Sequence, residues 1–220
     1  MVSLRASGDI VPITLAKPAG IPVFPPHDDP AGDCVLARLL AADPARAALD
    51  WPEGFAGGVT HRLDTSTSGA VLVADTPVEL AAIRAAFASG GLRKTYLLRV
   101  ARPPVWSTNV CDRPIAHDPR HKRKMTVQRG PSTPHRGRWI DAHTELRRLA
   151  GDRMEAVITT GVMHQIRVHA AFLGVPLLGD RLYGGGPTPD DAPPGVTFFL
   201  HHVGLVGEGV RTTPIPGPTW

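Results

Sequence analysis

Cysteine is scarce. Only Cys34 and Cys111 occur, far apart and without metal-ligand spacing. A disulfide framework is therefore not expected, and a reducing, cytoplasmic compartment is the simplest home. Aromatic residues make up 5% of the chain, with just two tyrosines, so a functional surface of stacked rings is not expected. No apolar run reaches the ~18 residues that span a bilayer. The first 13 residues show neither a long apolar stretch nor a cleavage site. There is no P-loop and no G-x-S-x-G elbow. His164 and His169 are five apart, which does not place both on one helical face as a zinc helix needs. His201 and His202 point to opposite sides of a strand. No metal site is expected from these spacings. Collagen, coiled coil, membrane protein and secreted knot are excluded.

What remains is globular in composition. The 220 residues are 42% apolar and 20% charged, enough for a sizeable core without staples. Glycine and proline number 23 each, together about a fifth of the chain and below the roughly 25–30% of low-complexity disorder. The net charge of +4 leans weakly toward an anionic partner. Much of it lies in residues 102–137, around His121-Lys122-Arg123-Lys124.

Patterning predicts strands over residues 10–15, 69–74, 94–100 and 198–206, with a hairpin of 139–149 on 154–159. A short helix over 34–42 is expected, capped by Asp33. A second runs from Pro77 to Ala88, with Thr76 as N-cap and Glu79 closing a capping box. A third covers 163–173. Residues 131–137 read as a flexible tip. Strands outnumber helices without βαβ alternation, which predicts an α+β fold.

Three polar residues stand where burial is expected. Asp64 follows the pair Gly57-Gly58 and precedes a buried strand. It reads either as a catalytic carboxylate or as a turn residue bonding the hydroxyls or amides of residues 65–68. Tyr96 sits mid-strand, where a core tyrosine is the ordinary reading. Arg167 projects from an otherwise apolar helix and needs a carboxylate partner. Asp180 and Glu155 are candidates for a structural pair.

His61-Arg62-Leu63-Asp64-x-x-Thr67-Ser68-Gly69 is a long contiguous signature. It resembles that of the RluA-type RNA pseudouridine synthase family. Four further segments resemble the family's motifs in order: Lys17-Pro18-Ala19-Gly20, Lys94-Thr95-Tyr96, His164-Gln165-Ile166-Arg167-Val168-His169, and Leu178-Gly179-Asp180-Arg181-Leu182-Tyr183. The likeness spans residues 10–206, so 1–220 is expected to be one catalytic domain. Only about nine residues precede the first strand, leaving no room for the S4 domain of many relatives. Val162 stands where the family usually has arginine.

The resemblance implies a mixed, mostly antiparallel sheet with flanking helices and a central active-site cleft. It implies isomerisation of a uridine in ribosomal or transfer RNA to pseudouridine by a cytoplasmic enzyme. No cofactor, membrane or obligate protein partner is implied, and a monomer is expected. Asp64 takes the role of catalytic aspartate, Tyr96 of active-site tyrosine and Arg167 of the arginine paired with Asp64. Expected RNA contacts are His61, Arg62, Lys122, Arg123, Lys124, His164 and Gln165, with Arg129, Arg136 and Arg138 extending the phosphate surface.

The chemistry explains these types. Breaking the C1′–N1 bond builds positive charge at C1′, which a carboxylate stabilises. The carboxylate can attack C1′, take a proton at C2′ or add to C6, and all three routes use one aspartate. A site must exclude water to keep the detached base. Dryness disfavours a charged carboxylate, and a nearby arginine offsets that. Tyrosine can stack on uracil and move a proton. The target must leave its stack, at a cost of a few kcal/mol. The alternative is a catalytically inactive RNA-binding module on the same fold.

Overall fold

Alternation of buried and exposed side chains organises most of this chain, and helices are few. The computed structural model describes residues 9–218 and 220. The reading of the amino terminus as lacking a signal sequence falls mainly outside the described residues. The chain divides into two units. One holds the residues up to Lys94, Pro193–Val196 and His201–Trp220, and the other holds Thr95–Ala192 and Thr197–Leu200.

In the first unit, β1 (Ile13–Lys17) runs antiparallel to β2 (Ser68–Val73), with Leu15 opposite Val71. Strand β2 runs parallel to β10 (Leu200–Gly207) through His201–Ser68 and His202–Gly69. A short β11 (Val210–Arg211) folds back on β10. Every residue of β2 after Ser68 is buried, as befits a strand covered on both faces. Helix α1 spans Val35–Ala42 and α2 spans Pro77–Ala88. Leu80 and Ile83 of α2 pack on Leu72, Leu92 and Leu205, with Phe87 at the margin.

Caps set these helices. Thr76 Oγ1 accepts from Glu79 N at 3.1 Å, as expected. Glu79 Oε2 instead reaches back to Asp75 N, one residue beyond the cap. At α1 the N-cap is Cys34, whose thiol accepts from Ala37 N. Asp33, the expected cap, is engaged in a fork to Arg38. A guanidinium offers Asp33 two charge-assisted bonds, and one amide cannot compete.

The second unit orders β3 (Arg93–Arg99), β9 (Arg153–Ile158), β8 (Thr144–Arg148) and β4 (Thr108–Cys111) side by side. The β8–β9 hairpin sets Leu146 opposite Ala156. A separate three-stranded sheet places β5 (Ile115–His117) between β6 (Met125–Val127) and β7 (Arg136–Ile140). Helix α3 (Gln165–Phe172) covers it, with Val168 clustered on Ile115, Met125, Val127 and Tyr183. Both units agree with an α+β fold of mixed, mostly antiparallel pairing.

Two further expectations change. The strand over 139–149 breaks at residues 141–143, because Trp139 belongs to β7 and Thr144 to β8, strands of different sheets. Apolar alternation continues across the break, so pattern alone does not reveal it. The expected flexible tip is instead tied down. Thr133 Oγ1 accepts from Arg129 N and Gly130 N and donates to Gly130 O.

Gly69 has φ +118, and a Cβ there would collide with the His202 backbone. The parallel strands thus require glycine at the end of the signature. Gly69→Ala should cost about 2–4 kcal/mol in urea unfolding at neutral pH, and a variant as stable as the parent would contradict this packing.

Candidate active site

The segment carrying Asp64 is shaped by backbone bonds. Buried Arg46 spans the approach to it: its Nη1 donates to Ala74 O at 2.6 Å and Gly57 O at 3.2 Å, and its Nη2 to Asp75 at 2.6 Å. Gly57 and Gly58 both take positive φ, and a Cβ on Gly58 would strike Ala74 O. Thr60 N then donates to Leu72 O, docking the segment on β2. The turn after Asp64 closes through Thr67 N to the Asp64 carbonyl at 3.0 Å. The turn reading of this residue is therefore partly met, by its main chain.

Lys17, at the end of β1, braces the same turn. It is 2% exposed, and its Nζ donates to Thr65 O at 2.9 Å and Pro18 O at 3.0 Å. Gly20 N also donates to Thr65 O. Burial pushes the Lys17 ammonium down to about 8, while the negative charge of Asp64 works to raise it. Lys17 thus keeps its positive charge at neutral pH close to the candidate carboxylate. The sequence reading gave Lys17 no role. Its signal was the Lys-Pro pair preceding a tight Gly turn.

His61 and Arg62, both expected at RNA, differ in setting. Arg62 is exposed. His61 faces inward: its Nε2 accepts from Leu72 N at 3.2 Å, and its ring meets His202 edge-on at 5.5 Å. His202 is fully buried, with Nδ1 bonded to Ala70 O at 2.6 Å. Buried Lys94 lies over the Phe87 ring at 5.5 Å. Three cationic groups cannot all ionise in an interior. Burial drives His202 down to about 4, with Lys94 adding to the fall. Burial lowers His61 well below its usual value, assisted by His202 and Lys94. Lys94 itself falls to about 8 through burial. At neutral pH Lys94 carries the charge and both histidines are neutral.

The second unit holds the other named residues. Tyr96 lies on the buried face of β3 with Lys94 and Leu98. Arg167 makes a fork on Asp180, Nε to Oδ2 at 2.7 Å and Nη2 to Oδ1 at 3.0 Å. Its guanidinium also lies 4.2 Å from the Phe198 ring centroid and 5.1 Å from that of Tyr183. The structural pair with Asp180 is therefore present. Tyr183 is a hub: its hydroxyl accepts from Met125 N at 2.8 Å and bonds His164 Nδ1 at 3.0 Å.

His164 takes φ 56 at the N-cap of α3. A left-handed non-glycine residue is strained and persists only where its surroundings impose it, and here the Tyr183 bond does so. Gln165, expected at RNA, is interior and saturated. Its Oε1 accepts from Thr160 Oγ1 and Val162 N, and its Nε2 donates to His143 O and Thr144 Oγ1. An amide with four internal partners has no bonding capacity to spare for a nucleotide. Val162 packs against the Ile115–Tyr183 cluster, so an apolar side chain is accommodated there. Lys122 and Arg123 are exposed, and Lys124 is half-buried over the Tyr183 ring at 5.6 Å.

Comparison with known proteins bears on both units. A family model described as RNA pseudouridylate synthase matches residues 12–172. The "Ribosomal large subunit pseudouridine synthase D" of Xanthomonas campestris is 38% identical over 175 residues, 79% of this chain and 49% of that protein. The protein of the same name from Xylella fastidiosa is 38% identical over 171 residues, covering 77% and 48%. The chain thus spans about half the length of these curated relatives. In fold it is similar to two human structures, "RNA Pseudouridylate Synthase Domain Containing 1" and "Domain Containing 4". Their TM-scores are 0.65 and 0.64 at 24% and 22% identity, covering 87% of this chain in each case and 74% and 79% of theirs.

The neutral histidines of the first unit, His61 and His202, make stability pH-dependent. An unfolded histidine binds its proton near pH 6.5, but folded His202 does so only near 4. Between these values the unfolded state holds more protons, so stability is complete above 6.5 and lost as pH falls. His202 alone should cost about 2 kcal/mol between pH 7 and pH 5. Urea unfolding should show the loss, reduced in His202→Gln. Equal stability of the parent at both pH values would refute it.

Proposed function

The chain belongs to the RNA pseudouridylate synthase family, and from that premise we propose that it isomerises uridine to pseudouridine in RNA with Asp64 as the catalytic carboxylate. The observation that carries the proposal is the unbroken signature from His61 to Gly69 on a segment pinned at both ends. Arg46 and the Gly57-Gly58 turn hold its start, and Lys17 and Gly69 hold its finish. A carboxylate meant to meet an opening glycosidic bond must be held without reorganisation at the moment of reaction. A pinned turn supplies that.

Arg167 and Tyr96 take the family roles of active-site arginine and tyrosine. The fork on Asp180 fixes the Arg167 guanidinium plane, which supports a positioned positive charge over a mobile one. Ribosomal RNA is the first substrate to test, because two relatives bear names that specify the large ribosomal subunit. Transfer RNA is the second. Cytoplasmic location and a monomeric state complete the reading. Among the described residues no helix is long and apolar enough to cross a membrane.

Asp64→Asn should abolish pseudouridine formation, scored by carbodiimide-stop sequencing of total RNA with and without the protein, while RNA binding survives. Equal modification by the variant and the parent would sink the role of Asp64. A parent that binds RNA but modifies none would favour the inactive module. Replacing Lys122, Arg123 and Lys124 with alanine should weaken RNA binding and shallow the slope of log affinity against log salt by about 2–3. An unchanged slope would remove this loop from the RNA path.

A further inference from the structure

Residues 113–139 hold eight lysines and arginines against one acid, Asp118. That excess exceeds the +4 of the whole chain, so the remainder is net acidic. The basic residues lie on an ordered scaffold. Asp118 Oδ1 accepts from Arg120 N and His121 N, both at 2.9 Å, and Lys124 N returns to His121 O. The acid is thus spent on shaping its own loop. Arg136 Nε donates to Asp118 O at 3.2 Å, joining the 118–124 loop to β7.

Strand β7 is an edge of the three-stranded sheet. Arg136, Gly137, Arg138 and Ile140 on it are exposed. Adjacent to these arginines in sequence, and against the expectation from composition, the half-exposed rings of His135 and Trp139 pack against each other, tilted by 32° with centroids 4.3 Å apart. Their approach is pre-formed. His135 Nδ1 bonds Thr133 O at 3.1 Å, and Thr133 closes the turn before it. A buried ring pair would serve the core, but a half-exposed one interleaved in sequence with Arg136 and Arg138 has the composition of a single-strand binding platform.

We propose that the His135–Trp139 pair is a stacking platform for one unpaired base of the RNA, flanked by Arg136 and Arg138 on the neighbouring phosphates. The proposal rests on the RNA-modifying reading and adds to it a contact specific for unpaired nucleotides. An acidic protein segment would match the charge but would not need a stacked ring pair between the arginines. Stacking differs from phosphate neutralisation in one measurable way. It contributes affinity without releasing counterions, so it leaves the salt slope unchanged.

The test titrates two probes, a stem-loop RNA with an unpaired loop and a blunt fully paired RNA of equal length. Trp139→Ala should weaken stem-loop binding about tenfold, leave duplex binding within twofold and keep the salt slope. Trp139→Phe, which retains a ring, should keep most of the affinity. Thermal melting checks folding. Should Trp139→Ala fail to fold, His135→Ala replaces it, with the same selective loss expected. Stem-loop affinity equal to the parent's, or equal losses on both probes, overturns the platform. A parent protein that binds neither probe overturns the RNA reading and the platform together. A parent that binds both, matched by its variant, overturns the platform alone.

Discussion

The fork between Arg167 and Asp180 is the interaction on which the second unit depends. Its side chains are 8% and 1% exposed, so neither charge has water to fall back on. Removing one partner from such a pair costs roughly 3–5 kcal/mol, because the other is left uncompensated. The fork ties helix α3 to the turn that ends at Tyr183. Tyr183 then fixes Met125 of β6 and the strained His164. A single ion pair thus sets the helix, the turn and the start of the β6 strand. The aromatic rings of Phe198 and Tyr183 near the guanidinium replace solvent with weakly polar faces, which suits the diffuse charge of arginine better than that of lysine.

The first unit reaches rigidity by another route. Around Asp64 backbone carbonyls and amides supply many of the restraints. Lys17 points its ammonium at main-chain oxygens, whereas Arg46 divides its guanidinium between two carbonyls and the carboxylates of Asp43 and Asp75. A carbonyl satisfies a buried cation without neutralising it. Positive charge on Lys17 therefore survives near the turn, where the negative charge of Asp64 favours the protonated ammonium. Lys94 keeps its charge for a different reason, since burial leaves its neighbours His61 and His202 neutral.

Much of this is legible in the sequence, for physical reasons that differ by element. The 77–88 helix shows because its cap, its N1 proline and its apolar stripe agree. The Asp64 segment shows because the signature is contiguous. Asp180 appears as a candidate partner for Arg167 because a buried guanidinium demands a carboxylate. Other features depend on contacts between residues distant in sequence. The cap at Cys34 follows from Arg38 claiming Asp33, a competition that propensity does not weigh. The inward turn of His61 needs His202, 141 positions away. Gln165 looks like a surface amide until its four partners, drawn from two segments, are assembled. Composition counts rings but not their placement, which is why the His135–Trp139 stack escapes it.

The distribution of charge closes the physical picture. A chain of modest net charge attracts a polyanion weakly if its cations are scattered, since most interactions beyond a Debye length of about 10 Å are screened. Gathering the excess into residues 113–139 concentrates positive charge on one stretch of the chain, and the local charge there exceeds what +4 suggests. Such charge alone would bind any nucleic acid. Discrimination requires groups that sense something other than charge, and a pre-formed ring pair on the same edge senses whether a base is free to stack. Coarse attraction and the test for an unpaired nucleotide would therefore share one scaffold, pinned by Asp118, Thr133 and, through β6, by Tyr183.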